Sequence, residues 1–318
     1  MRRAWHALAL SAPMVFASAT LPSHLQADLI NMLHLPKQLC MTYRATAALK
    51  HMGYRVQALP AKLGYTSYPG YLMQFIKDFE ATYKPFGQRD RARVIIFCRT
   101  KALVDSLFDA LQPYAARFHA DLADDDKLSQ LGRFRGDTLL LLATSGIGAG
   151  YDFPDVNLVI HFMPGAYEMT NFMQESGRAG RLPDQLSWSY CLVRPGQLKV
   201  PSVQQEDVPL EQKQFTQYLL DQICRRRSIS RVYDGDALES CDPSWNQCDL
   251  CLDRLEKTLS VSVSIRQKDR QNSQSLEFFE RAVKYWTEER CLICFLHWEG
   301  KLPYTPYIPY IPYIPYIP

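Results

Sequence analysis

What the chain lacks narrows it first. No run of about 18 apolar residues occurs, so no membrane-spanning helix is expected. Charge of one sign is scarce: 36 Lys and Arg against 33 Asp and Glu leave a formal net charge of +3. That is too little to mark a nucleic-acid partner by bulk, so any such contact must come from local patches. No GxxxxGK[ST] loop is present to cradle phosphates, and no DExH box to hold magnesium. The glycine-rich and aromatic signals of an RNA-recognition motif are also missing. What remains is 318 residues with 47% apolar content, enough for a proper core and about two domains.

From Arg93 the pattern alternates strand and helix. Val94–Cys98 is a continuous apolar run, as a strand covered on both faces requires. Helices are expected over Thr100–Gln112, Asp124–Phe134 and Tyr167–Ala179, and strands over Arg117–Ala120, Thr138–Ala143, Val156–Phe162 and Ser187–Val193. Such alternation predicts an α/β fold over 91–195, with a parallel sheet, helices on both faces and right-handed crossovers. An amphipathic helix over Glu211–Cys224 follows. Another, over Ser275–Arg290, has an apolar stripe that reads as packing.

Three segments carry chemistry. Gln174-Glu175-Ser176-Gly177-Arg178-Ala179-Gly180-Arg181 sets two arginines three apart, expected on one face of a helix turn. Their forked, permanently charged heads suit a polyphosphate. In Ala143-Thr144-Ser145-Gly146-Ile147-Gly148-Ala149-Gly150-Tyr151-Asp152, small residues let the backbone approach a ligand. Thr144 and Ser145 offer hydroxyls and N–H groups to phosphate, while Gly148 and Gly150 permit tight turns. In Arg93-Val94-Ile95-Ile96-Phe97-Cys98-Arg99-Thr100 the strand ends at Cys98. Arg99 and Thr100 therefore sit at a strand's carboxyl end, where open α/β sheets bind ligands.

In this order the segments resemble motifs VI, V and IV of superfamily-2 helicases, and the wording QESGRAGR is that of the RecQ type. Ser18-Ala19-Thr20-Leu21-Pro22 resembles motif III. The resemblance implies a RecA-like lobe in which Arg178 and Arg181 are the arginine fingers. It implies that Gly150, Asp152 and Gln174 join them around ATP, and that Arg99, Thr100, Thr144 and Ser145 contact the backbone of the tracked DNA strand. ATP and Mg2+ belong to the complete family enzyme. Phe118-His119-Ala120-Asp121-Leu122 departs from the family's YHAGL by placing Asp121 where glycine is usual, and a carboxylate repels phosphate.

Nine cysteines is an odd count, and their distribution matters more. Cys40, Cys98 and Cys191 lie in apolar surroundings and read as core thiols. Cys224, Cys241, Cys248 and Cys251 are separated by sixteen, six and two residues and end in C-x-x-C. Four such thiolates suit a closed tetrahedral zinc site in a reducing compartment. The order Cys224-Arg225-Arg226-Arg227, helix, then Cys248-Asp249-Leu250-Cys251 resembles the RecQ zinc-binding subdomain, with a spacer of six residues where two are usual. Arg225, Arg226, Arg227 and Arg231 read either as DNA-backbone contacts or as a solvated charge run. Cys291, Cys294 and His297 form a lone half-site.

The amino terminus has the layout of a secretory signal: Met1-Arg2-Arg3, an apolar stretch to Phe16, then Ala17-Ser18-Ala19. The motif III resemblance, after an expected strand at Pro13–Ala17, argues against a signal, and the downstream motifs imply a cytosolic or nuclear ATP-using protein, expected here in the nucleus. The expected organisation is a fragment of a first RecA-like lobe at 1–60, an inter-lobe connection at 61–90 and the second lobe at 91–195. A zinc-binding subdomain follows at 196–260, then a helix with the C-x-x-C segment at 261–302. From 303 to 318 proline recurs at every third residue, a low-complexity Pro-Tyr-Ile tail. Two functions remain open: the carboxyl-terminal portion of an ATP-dependent 3′→5′ DNA helicase acting on single-stranded or forked DNA, or a non-catalytic remnant or accessory DNA-binding zinc protein.

Overall fold

The computed structural model describes residues 15–35, 37–83, 91–136, 138–147, 151–182, 185–198 and 207–259. The 275–290 helix, Cys291, Cys294 and His297, the Pro-Tyr-Ile tail, and Gly148 and Gly150 lie outside the described residues.

Six strands form one parallel sheet: β1 (Met52–Ala58), β2 (Val94–Cys98), β3 (Ala115–Phe118), β4 (Leu140–Ala143), β5 (Leu158–Phe162) and β6 (Ser187–Val193). Their spatial order is β1-β6-β5-β2-β4-β3. The central β2 pairs with β4 in the register Val94↔Leu140 and with β5 in the register Val94↔Leu158. Every residue of β2, β4, β5 and β6 is buried, as the continuous apolar runs of β2 and β4 demand, and β5 and β6 bury His161, Ser187 and Ser189 as well.

Period-two alternation sorts these side chains onto two cores. Val94, Ile96, Leu140, Leu142, Leu158 and Ile160 meet α2 (Tyr68–Tyr83) and α3 (Lys101–Leu111). On the other face, Ile95, Leu141, Val159, Cys191 and Val193 meet Leu131 and Phe134 of α4 (Asp124–Arg135) and Phe172 of α5 (Met169–Ser176). The same core takes in Phe215 and Tyr218 of α6 (Leu210–Leu220), and Ile229 and Val232 of α7 (Arg225–Tyr233). A further helix runs over Asp249–Leu259 (α8), and α1 (Leu25–Met32) precedes the sheet with no buried residue.

Two expectations need correction. Residues 52–58 do not fall to another lobe: β1 pairs with β6 along its whole length, from Met52↔Ser187 to Ala58↔Val193. The edge of this sheet thus lies about forty residues earlier than residue 91, because Met52 and Tyr54 fill the same core as α5. No strand forms at Val15–Ala17, where Val15 is 90% exposed and Phe16 48%. Cys98 and Cys191 are buried as expected, whereas Cys40 is only half-buried.

Candidate functional site

β2 ends at Cys98 and β4 at Ala143, which sets Arg99, Thr100, Thr144 and Ser145 together along the carboxyl edge of the sheet. Thr100 also caps α3, its Oγ1 accepting from Leu103 N–H at 3.2 Å. Arg99 lies over Gly165, where a Cβ would stand 2.8 Å from Arg99 Nη1. Thr144 N–H donates to Phe118 O at 3.2 Å, and the exposed Ser145 has its Oγ 3.4 Å from the Tyr167 hydroxyl. Asp121 is paired with Lys101 at 2.5 Å, and that hydrogen bond holds its pKa down. Its charge is thereby partly offset at this edge.

The second group departs from the expected geometry. The helix ends at Ser176, not Ala179, so Arg178 and Arg181 do not share a helical face. Gly177 closes α5 and Gly180 takes φ +71°, which turns the chain between the two arginines. Arg178 donates to Ile147 O and Tyr151 O, both at 3.0 Å. Burial, then the neighbouring Arg181, pulls its pKa down. Arg181 instead donates to Gly177 O at 3.2 Å and forms an ion pair with the exposed Asp152. Gln174 Nε2 donates to Thr20 Oγ1 at 3.3 Å, which brings the Ser18-Ala19-Thr20 segment against α5. Arg178, Arg181 and Asp152 therefore lie together, with Gln174 one helical turn before Arg178 and bonded to Thr20.

Gly180 permits this turn and nothing larger fits. An added Cβ would fall 2.4 Å from both His51 Cδ2 and Ser187 Oγ. Gly180→Ala should destabilise the fold by about 1–3 kcal/mol through overpacking, with the left-handed backbone adding to it. Urea unfolding reads this directly, and an unchanged midpoint would show that the turn relaxes freely.

The four cysteines Cys224, Cys241, Cys248 and Cys251 are all buried, with their sulfur atoms within 4.8 Å of one another. A zinc–sulfur bond of about 2.3 Å implies tetrahedron edges of about 3.8 Å. Cys224 Sγ lies 3.7 Å from Cys241 Sγ and 3.9 Å from Cys248 Sγ, so the donor set fits a tetrahedral thiophilic metal. Hydrogen bonds from the Cys224 and Cys248 thiols, with the Arg226 charge alongside, lower the Cys241 pKa.

The arginine run is structural at two of its positions, which corrects both expectations there, DNA contacts and a solvated charge run. Arg225 grips Asp249 with Nε and Nη2 at 2.9 Å each, and donates to Tyr218 O and Leu219 O at 3.0 Å. Arg226 is fully buried, donating to Cys241 Sγ at 2.7 Å, Met52 O at 2.6 Å, Asn246 O at 2.9 Å and Leu49 O at 3.1 Å. A guanidinium has five donors in a fixed fork, and buried carbonyls are what that fork satisfies here. Arg227 and Arg231 keep some exposure, Arg227 beside Glu239 at 3.4 Å. Arg226→Met should cost about 3–5 kcal/mol, since it strands buried carbonyls and the Cys241 sulfur. Denaturant titration of the two proteins tests it; a loss below about 1 kcal/mol would mean that water replaces the guanidinium.

Sequence reasoning missed Tyr167, Glu175 and His161, which join the two groups from beneath. The available signal was Glu175 itself, an acid inside the Gln174–Arg181 motif.

Residues 75–183 match the family model of the helicase conserved C-terminal domain. The match spans β2 to β5 and contains both groups at the edge of the sheet. Among curated proteins the similar ones include a putative ATP-dependent RNA helicase of Acanthamoeba polyphaga mimivirus and several ATP-dependent DNA helicases. The ATP-dependent DNA helicase RecQ of Bacillus subtilis is 30% identical over 198 residues, covering 55% of this chain and 32% of that protein. The ATP-dependent DNA helicase Q1 of Pongo abelii is 27% identical over 179 residues, covering 54% of this chain and 25% of the other. Matches to these relatives thus span a quarter to a third of their lengths. Among solved structures, Saccharomyces cerevisiae Dbp5 bound to RNA and ADP BeF3 aligns with a TM-score of 0.43 at 18% identity, covering 56% of this chain and 44% of that one.

Proposed function

We propose that the chain provides the second RecA-like lobe and the zinc-binding subdomain of an ATP-dependent DNA helicase that moves 3′→5′ and works in the nucleus. The observation that carries this reading is the pair of groups: Arg99, Thr100, Thr144 and Ser145 on one edge, Gln174, Arg178, Arg181 and Asp152 beside it. The first offers hydroxyls, N–H groups and a cation to a phosphate backbone. The second sets two guanidinium groups by an acid, able to meet a triphosphate presented by a partner lobe. Its own residues contribute no phosphate loop and no magnesium acid box, so ATP chemistry needs those elements from elsewhere.

The cysteine quartet would hold zinc and supply folding free energy to the 210–259 region, with no step of the reaction passing through it.

The test uses the purified chain and labelled single strands. Oligothymidylate should bind weakly, its log affinity falling with log salt at a slope of about −0.7 per phosphate neutralised. Arg99→Ala should reduce that slope by a little under one unit, while Arg181→Ala leaves affinity nearly unchanged. A uridine strand of equal length is the control for DNA preference. Tighter binding to the RNA strand would overturn the DNA assignment. No binding to either would favour a remnant without a nucleic-acid role.

A further inference from the structure

The loop after β4 and the segment after α5 are fastened to each other in two places. At one, Arg178 donates to Ile147 O and Tyr151 O. At the other, a chain of polar side chains runs through the interior. Ser145 Oγ lies 3.4 Å from the Tyr167 hydroxyl, and that hydroxyl donates to Glu175 Oε2. His161 Nδ1 is 3.2 Å from the same carboxylate oxygen. The His161 Nε2 is 3.3 Å from Ser176 Oγ, itself 2.8 Å from Ser189 Oγ.

This arrangement is costly for packing alone. Glu175 is 4% exposed, and its Oε1 is buried without a hydrogen-bond partner among the described residues. A buried carboxylate with one oxygen unmet loses several kcal/mol relative to water unless other interactions compensate. Such groups concentrate where geometry must be held for function. Here the acid sits between Gln174 and the turn to Arg178, and its hydroxyl partner reaches the exposed Ser145.

We propose that Tyr167 and Glu175 are positioning residues that hold the Ser145 loop and the 177–181 turn in one arrangement, so that phosphate binding at Ser145 is felt at Arg178 and Arg181. The proposal rests on the function given above. Its physics is a competition for one proton. Burial, reinforced by Glu175, pushes the Tyr167 pKa up, so its hydroxyl stays protonated and goes on donating to the carboxylate. Tyr167 can then only accept from Ser145. The Ser145 hydroxyl has a single proton to give, to Tyr167 in the free chain or to a phosphate oxygen in the bound one. The exchange releases one end of the network, and α5 carries the change to its far end within two turns.

The experiment measures two quantities on the full chain: affinity for labelled oligothymidylate, and amide hydrogen exchange over 144–147 and 177–182. Tyr167→Phe removes the hydroxyl and keeps the ring. It should change affinity by about three- to tenfold, the worth of one such hydrogen bond, and raise exchange in both segments. Glu175→Gln keeps an oxygen that accepts from Tyr167 and should restore near-normal behaviour, whereas Glu175→Leu should copy Tyr167→Phe. Combining Ser145→Ala with Tyr167→Phe should change affinity no more than Ser145→Ala alone. A merely structural role predicts lower thermal stability with unchanged affinity of the folded protein; that result, or additive effects in the double variant, overturns the inference. If the unmodified chain binds no oligonucleotide, the proposed function fails and takes this inference with it. Normal binding by wild type and Tyr167→Phe alike overturns the inference alone.

Discussion

Chelating the metal should unfold the 210–259 region and peel β1 from the sheet, leaving β2, β4 and β5 protected. Without an ion the four buried sulfurs cannot all stay thiolate in a low-dielectric interior. Chelation therefore replaces the coordinate bonds by proton uptake and leaves the loops that carry them untied. Structural zinc in small domains contributes on the order of 10 kcal/mol of apparent folding free energy. Here the loss would not stay local. Arg226 ties the cluster to Leu49 O and Met52 O at the entrance to β1. Arg55 donates to Gln247 O at 2.5 Å, and Val56 N–H donates to Asp249 Oδ2 at 3.0 Å. The edge strand therefore depends on residues that a bound metal would hold in place. Metal analysis should find one zinc per chain, lost in a Cys248→Ser/Cys251→Ser variant. Hydrogen exchange after chelation should rise across 52–58 and 210–259, and stay low in 94–98 and 158–162. Less than about half an equivalent of zinc, or unchanged exchange in β1, would count against the arrangement.

The parts of the fold that were legible share a physical simplicity. Val94–Cys98 is legible to the residue because a strand buried on both faces is a bare apolar run bounded by polar residues; Ser187–Val193 is legible from Trp188 and Tyr190–Val193, and buries Ser187 and Ser189 with them. The cysteine quartet was legible from spacing, since few other structures need four thiols in that order. β1 was not assigned to this sheet, because Met52-Gly53-Tyr54-Arg55-Val56-Gln57 mixes polar and apolar residues as an edge strand does. Its place is decided by β6 and by contacts from residues nearly two hundred positions later. The Arg225–Arg226 pair misled for a related reason. In one dimension a charge run reads as surface, and only the fold shows that Asp249 and a ring of carbonyls enclose it. The helix expected over Tyr167–Ala179 runs past the end of α5, because the chain leaves the helix at Gly177 and turns at Gly180. Arg178 and Arg181 were legible as a pair but not as two different devices.

That difference sets the last expectation. Joined in frame behind a first lobe that carries a phosphate loop and a magnesium acid box, the chain should hydrolyse ATP when single-stranded DNA is present. Arg181→Ala in that fusion should lower kcat by roughly 10³–10⁵, the range over which an arginine finger acts where the rest of the site exists. It should do so with little change in thermal stability, because Arg181 is partly exposed and its side chain leans on one exposed acid, Asp152, and one carbonyl. A γ-phosphate carries more charge than Asp152 and can take the guanidinium from it with no buried group left unmet. Arg178→Ala should behave otherwise. Its two hydrogen bonds to Ile147 O and Tyr151 O hold the loop that follows Thr144 and Ser145. Its loss should therefore lower stability by about 1–3 kcal/mol as well as activity. Arg181→Lys keeps the charge but not the fork, and should recover only a small part of the rate. The unfused chain should show no DNA-stimulated turnover at all. Hydrolysis by the unfused chain that disappears in Arg181→Ala would mean that a nucleotide site is assembled from its own residues, and would overturn the two-lobe reading. Equal losses of rate and stability for both arginines would show instead that the two guanidinium groups serve the fold alike, and that neither is held ready for a phosphate.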